Sequence, residues 1–321
     1  MSTLSANPTA RIVFAGTPAF AVPTLQQLAA SNHKLVGVLT QPDRPAGRGR
    51  QMQASPVKEL AVSLGLPIAQ PATLKDPQIA TWLADLQPEL MVIVAYGLLL
   101  PKTILQLPVR GCVNVHASLL PRWRGASPIQ SAILHGDRRS GVSIMQMEAG
   151  LDTGPVYAKC ELDIRPDETA DELHDRLSEL GAQCLMDVVP RILDGSLVPQ
   201  PQDDTRATHA GRISKADARI DWTAAAKDIH NQIRAYNSWP VAETLLDGKR
   251  LRCWTSQLAS GEAPGTDTGV IVSATEGALR VQTGDGLLDL QILQLPSRQR
   301  MSADELQRGY AGSLTGKQLG Q

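Results

Sequence analysis

Little in the composition of this 321-residue chain marks a specialised class, and each shortage removes a possibility. Thirty-one Lys and Arg stand against 32 Asp and Glu, so no global field draws the chain to nucleic acid and any basic surface must be local. Aromatic residues are only 3% of the sequence. Cys112, Cys160, Cys184 and Cys253 are scattered with no Cys-x-x-Cys pair, which argues against a zinc knuckle and a disulfide framework. They read as small core residues in a reducing compartment. His33, His135, His174, His209 and His230 lack metal-ligand spacing, so no metal site is expected. Gly16-Thr17-Pro18 lacks the Gly-x-Gly-x-x-Gly spacing of a dinucleotide site. No apolar stretch approaches the roughly 18 residues that span a bilayer, and Met1 to Pro8 lacks the basic-then-apolar order of a secretory signal. Internal repeats are absent. The expectation is a cytoplasmic, soluble monomer without membrane contact.

What the chain does have is an alternation of strand and helix signals, with 42% apolar residues and length enough for two domains. Arg11 to Ala15 is a β-rich run, followed by a helical pattern at Val22, Leu25, Leu28 and Ala29. Lys34 to Leu39 is the next strand. Pro56 after Ser55 and Pro77 after Asp76 are first-turn prolines behind N-caps. Leu90 to Ala95 is apolar throughout, as a central parallel strand covered on both faces should be. Two strands between Gly141 and Ile164 bracket a turn at Asp152, and a helix runs from about Thr169 to Val189. The fold class predicted is α/β: an open, mostly parallel Rossmann-like sheet over residues 1–190. A polar, proline-punctuated linker covers 191–209. From 210 to 321 the texture changes to a helix over Asp221–Tyr236 and five short strands near 243–246, 251–255, 269–273, 278–282 and 287–293. Tight turns separate them, which predicts a small OB-like β-barrel.

Two segments carry chemistry. Gly111-Cys112-Val113-Asn114-Val115-His116 is a strand ending in two polar residues on one face, because side chains alternate. Ligands of an open α/β sheet bind beyond the carboxyl ends of its strands, where this pair falls. When an amine attacks a formyl carbon, charge gathers on the carbonyl oxygen, and an amide NH2 and an imidazole N–H can both donate to it. The plain alternative makes His116 a hydrogen-bonded core histidine and Asn114 a turn cap. In Gly150-Leu151-Asp152-Thr153-Gly154, flanking glycines let the backbone bring a carboxylate to another segment. Bonded to one nitrogen of His116, Asp152 would orient the ring; an Asx turn is the alternative use. No serine or cysteine nucleophile is required, because the acceptor brings its own amine. Gln41 to Arg50 is read as a mobile loop with Arg44, Arg48 and Arg50 among glycines and prolines. It suits phosphate contacts and nucleic acid, or is a solvated surface loop.

Together, Phe14 to Pro18, Thr40 to Gly49, Val94 to Gly97, Asn114 to Pro128 and Met145 to Gly154 resemble the methionyl-tRNA formyltransferase family over nearly the whole chain. The resemblance implies formyl transfer from 10-formyltetrahydrofolate to the α-amine of methionyl initiator tRNA, with tetrahydrofolate as the second product. It implies Asn114, His116 and Asp152 as the catalytic set. Ser118, Leu119, Leu120 and Pro121 match the tetrahydrofolate-binding stretch, and Val94, Ala95, Tyr96 and Gly97 would line the pterin pocket. Arg44, with Arg48 and Arg50, matches the tRNA-contacting insertion, and the C-terminal barrel would hold the acceptor arm. Ser238 stands before Trp239-Pro240 where the family has proline, and Ala117 where glycine is frequent. Three other readings remain: a glycinamide ribonucleotide or sugar-nucleotide amine as acceptor, hydrolysis of formyltetrahydrofolate, and a non-catalytic tRNA-binding module. Residues 205–321 disfavour the glycinamide version, hydrolysis gives the arginine loop no use, and the intact Asn–His–Asp set weighs against the last.

Overall fold

Arg11–Gly16 (β1) and Leu90–Val94 (β4) are the middle of the first sheet, and the apolar runs Ile12–Ala15 and Leu90–Val94 match burial on both faces. The computed structural model describes residues 9–46, 49, 51–261, 265–275 and 277–321. Lys34–Leu39 (β2), Ile68–Ala69 (β3), Cys112–His116 (β5), Arg139–Gln146 (β6) and Val156–Asp163 (β7) complete a seven-stranded sheet in the order β7-β6-β5-β4-β1-β2-β3. Strands β3, β2, β1, β4 and β5 pair in parallel. β6 then pairs antiparallel with β5, setting Asn114 opposite Met145 and His116 opposite Ser143. Helices Val22–Ala30 (α1), Pro56–Ser63 (α2) and Pro77–Asp85 (α3) occupy the crossovers. The predicted caps are made: the Lys58 amide donates to Ser55 Oγ and the Gln78 amide to Asp76 Oδ1.

Three details depart from expectation. The helix Ala170–Asp194 (α4) continues through Pro190 instead of stopping at Val189. Its buried stripe of Leu177, Leu185, Val189 and Ile192 runs past the proline, and burying these side chains offsets an interior-proline cost of about 3 kcal/mol. Two of the four cysteines are not free: Cys160 on β7 and Cys184 on α4 form a disulfide with Cα atoms 6.2 Å apart, while Cys112 and Cys253 are free and buried. A strand packed on a helix brings together residues 24 apart in sequence, and no short spacing motif reports that. The described part of the arginine loop pairs as a short antiparallel ribbon, Arg44–Ala46 against Gln51–Gln53.

Contacts divide the chain into two units, Met1–Gly125 with Ser140–Leu162 and His174–His209, and Ala126–Arg139 with Asp163–Leu173 and Ala210–Gln321. The second unit contains Glu243–Leu246 (β8), Lys249–Ala259 (β9), Ile271–Thr275 (β10), Ala278–Gln282 (β11), Leu287–Gln294 (β12) and Met301–Ser302 (β13). Their order is β8-β9-β12-β11-β10, all antiparallel, with β13 on β12. The chain's last residues close this sheet. Leu319 bridges Leu246, the last residue of β8, and Gln318 bridges Val270 beside β10, joining the two edges into a small barrel. One helix of this unit, Ala226–Ala235 (α5), begins later than Asp221, because Asp221 accepts bonds from the Thr223 amide and hydroxyl in a local turn. Ile229 and Ile233 of α5 pack into the barrel core with Leu251, Leu279, Val281 and Leu290.

Candidate active site

Pairing with β4 and β6 holds β5 rigid, and its last two polar side chains reach the sheet's carboxyl edge. His116 is only 6% exposed. Its Nε2 lies 3.0 Å from the Trp123 carbonyl oxygen. A carbonyl only accepts, so Nε2 bears the hydrogen of the neutral ring and Nδ1 is the nitrogen left to take up or release a proton. Asp152 Oδ2 stands 3.7 Å from Nδ1. The two side chains do converge, but that separation is longer than a hydrogen bond. The orienting bond expected from Asp152 is therefore not made, and the Trp123 carbonyl selects the tautomer in its place. Asp152 Oδ2 is held by the Gly125 amide, which donates to it at 2.8 Å.

The turn that delivers Asp152 needs its glycines for space. A Cβ at Gly154 would collide with the Gln146 carbonyl oxygen, and one at Gly150 with Thr153 Oγ1. Asp152 itself takes the left-handed conformation at φ 53°, as do Trp123 at 61° and Ala95 at 46°. Such residues cost about 1–3 kcal/mol each and collect where the surrounding structure dictates them. Here the Trp123 amide donates to Thr208 Oγ1, while Gln202 Nε2 donates to the carbonyls of Asp152 and Gly154. Asn114 is partly exposed, and among the described residues its amide has no hydrogen-bond partner, leaving both donors available. Cys112, on the same face of β5, is no rival nucleophile: burial pushes its thiol up to about 12, so it stays protonated. Ser118 is also withdrawn, donating its hydroxyl to the Arg122 carbonyl while 1% exposed.

The remaining candidates fall around this edge in different ways. Leu120 is fully buried against Met145 and Val156, Leu119 and Pro121 are partly exposed, and Ser143 Oγ ties the Ser118–Leu120 backbone down. Val94 and Tyr96 belong to the core, whereas Ala95 and Gly97 are exposed at the end of β4. Burial pushes the Tyr96 phenol well above its ordinary value, and its hydroxyl is not hydrogen-bonded among the described residues. Its carbonyl accepts from Gln41 Nε2 at 2.8 Å, and Gln41 Oε1 accepts from Arg44 Nη2 at 2.5 Å. Arg44 is exposed, and a Lys58–Asp43 ion pair of 2.6 Å braces the ribbon's base. Arg48 and Arg50 lie outside the described residues.

Sequence reading passed over the Trp123 carbonyl, Thr208 and Gln202. A main-chain carbonyl has no residue signature, and the 191–209 segment reads as linker because it is polar and without period. Only the alternation of Gln200 and Gln202 between prolines hinted at an extended strand with amides on one side. Among the described residues, no group of three or more His, Cys, Asp or Glu converges on a metal site, and no helix is long and apolar enough to cross a membrane.

The formyl transferase profile matches residues 10–189, and the profile described as formyl transferase, C-terminal domain, matches 212–311. A methionyl-tRNA formyltransferase of Methylococcus capsulatus is 50% identical over 310 residues, covering 97% of this chain and 99% of that one. Another, from Stutzerimonas stutzeri, is 50% identical over 92% of this chain and 93% of its own. Among solved structures, the sugar 3N-formyl transferase WlaRD, determined in the presence of dTDP and 5-N-formyl-THF, aligns with a TM-score of 0.66 at 17% identity, over 91% of this chain and all of that one. The methionyl-tRNA formyltransferase from Clostridium thermocellum aligns at 0.54 and 19% identity, over 79% of this chain and 95% of its own. Those structural likenesses establish the fold.

Proposed function

This chain belongs to the methionyl-tRNA formyltransferase family, and from that premise we propose that it moves the formyl group of 10-formyltetrahydrofolate onto the α-amine of methionine carried by initiator tRNA. The observation that carries the mechanistic reading is the convergence of His116 Nδ1 and Asp152 Oδ2, 3.7 Å apart, beside the unengaged Asn114 amide. The amine attacks the formyl carbon, a C–N bond forms, and the carbonyl electrons move onto oxygen. Asn114 donates to that oxyanion. His116 Nδ1 takes the proton the new ammonium sheds and returns it to N10 as the C–N10 bond breaks, releasing tetrahydrofolate. Asp152 stabilises the transient imidazolium, whose other N–H stays on the Trp123 carbonyl. Leu119 and Pro121, with the exposed Ala95 and Gly97, would cradle the folate, while the buried Ser118 and Leu120 anchor the stretch that carries them. Leu99 and Leu151, exposed on the adjoining turns, would supply apolar surface to the flat ring.

The test is a formyl-transfer assay comparing initiator with elongator methionyl-tRNA. Formylation of the initiator species alone is the expected result, and folate hydrolysis without amide formation would overturn the reading. Arg44 is the proposed contact to the acceptor end. Arg44→Ala should lower kcat/KM for tRNA about tenfold or more, the worth of a charged hydrogen bond, while folate binding is unchanged. Equal loss of both would show that the ribbon does not read RNA.

A further inference from the structure

Gln202 is the hub of a set of bonds that contains both ends of the His116–Asp152 pair. Its Nε2 donates to the carbonyl oxygens of Asp152 at 2.8 Å and Gly154 at 2.7 Å. Its Oε1 accepts from Arg124 Nε at 3.1 Å and Nη2 at 2.9 Å. Arg124 is 5% exposed and also reaches Asp204 Oδ1 at 2.7 Å. Arg124 sits between the two backbone groups that hold the site: the Trp123 carbonyl on His116 Nε2, and the Gly125 amide on Asp152 Oδ2. One side chain thus ties the turn carrying the carboxylate to the segment that orients the imidazole.

We propose that Gln202 is a positioning residue for formyl transfer, setting the separation of His116 Nδ1 and Asp152 Oδ2 from a segment that looks like a connector. The proposal rests on the His116–Asp152 reading above. Only a side chain with an acceptor at one end atom and two donors at the other, at the reach of glutamine, makes all four bonds. Glutamate keeps the guanidinium contact but turns a carboxylate oxygen onto two carbonyls. Methionine keeps the length and makes none of the bonds. The Asp152 residue, left-handed at φ 53°, then loses the carbonyl tether that opposes its relaxation.

Displacements near 1 Å at a reacting pair cost up to about a hundredfold. Gln202→Met should therefore lower kcat by about ten- to a hundredfold, with the KM for 10-formyltetrahydrofolate and for tRNA nearly unchanged. Gln202→Glu should fall at least as far, and both should be corrected for folded fraction by circular dichroism and folate binding. The deciding measurement is a double-mutant cycle with Asp152→Asn. If Gln202 acts through Asp152, Gln202→Met costs less than about threefold in the Asp152→Asn background. Full additivity, or a loss confined to thermal stability with kcat intact, would overturn the proposal. A harmless Asp152→Asn beside a costly Gln202→Met would sink the His116–Asp152 reading instead, and with it this route of action.

Discussion

Replacing His116 with alanine is expected to lower kcat by at least about a hundredfold, the usual lower bound for removing a positioned general acid–base group. The loss follows from where the ring's two nitrogens point. Nε2 is committed to the Trp123 carbonyl, so every proton the imidazole handles must pass through Nδ1, and the two nearest nucleophilic side chains of its strand and following turn are not placed to substitute. The Cys112 thiol is pushed up to about 12 and the Ser118 hydroxyl is spent on a backbone carbonyl. Alanine also removes the His116 hydrogen bond to the Trp123 carbonyl, worth about 0.5–1.5 kcal/mol of stability, so activity must be normalised to folded protein by thermal melting. Single-turnover formylation with saturating substrates is the measurement. Near-normal turnover in folded His116→Ala would remove the imidazole from the mechanism.

Asp152→Asn is expected to lower kcat by about a hundredfold or more, the scale of losing one preorganised group that stabilises transition-state charge, here the imidazolium. The geometry explains why so small a change is not conservative. The Gly125 amide donates to Oδ2, so an asparagine settles with its carbonyl oxygen on that donor and its NH2 turned away. An amide near Nδ1 then offers either a donor that occupies the lone pair or no charge to steady an imidazolium. Binding of folate should change little, because the side chain is only 13% exposed and faces the ring. A kcat collapse at constant folate affinity is the expected signature. A change confined to KM would place Asp152 in ligand binding and not in proton handling.

Much of this was legible before folding. The strand at 112–116 placed Asn114 and His116 on one face because side-chain alternation is local, and the observed register agrees. Gly150 and Gly154 announced a close approach, and Gly154 indeed has no room for a Cβ. The barrel strands appeared as short β-rich runs between turn residues and fall where expected, although Lys249–Ala259 runs longer than the 251–255 segment predicted. The Tyr96 side chain, quoted with its neighbours as pocket lining, is instead packed into the core, because a two-fold alternation cannot say which face of a terminal turn the chain leaves.

Sequence alone determined what depends on neighbours along the chain: the α/β-then-barrel order, the capped helices behind Ser55 and Asp76, and the three polar groups proposed for formyl transfer. Tertiary structure alone decided what depends on through-space partners. It set the His116 tautomer through a main-chain carbonyl, paired Cys160 with Cys184, closed the barrel with residues 318–319, and drew Gln202 out of a connector onto the Asp152 turn. The physical reason is that backbone carbonyls and long-range packing carry no residue-type signal, whereas propensity, alternation and capping are written within a few residues of the groups they govern.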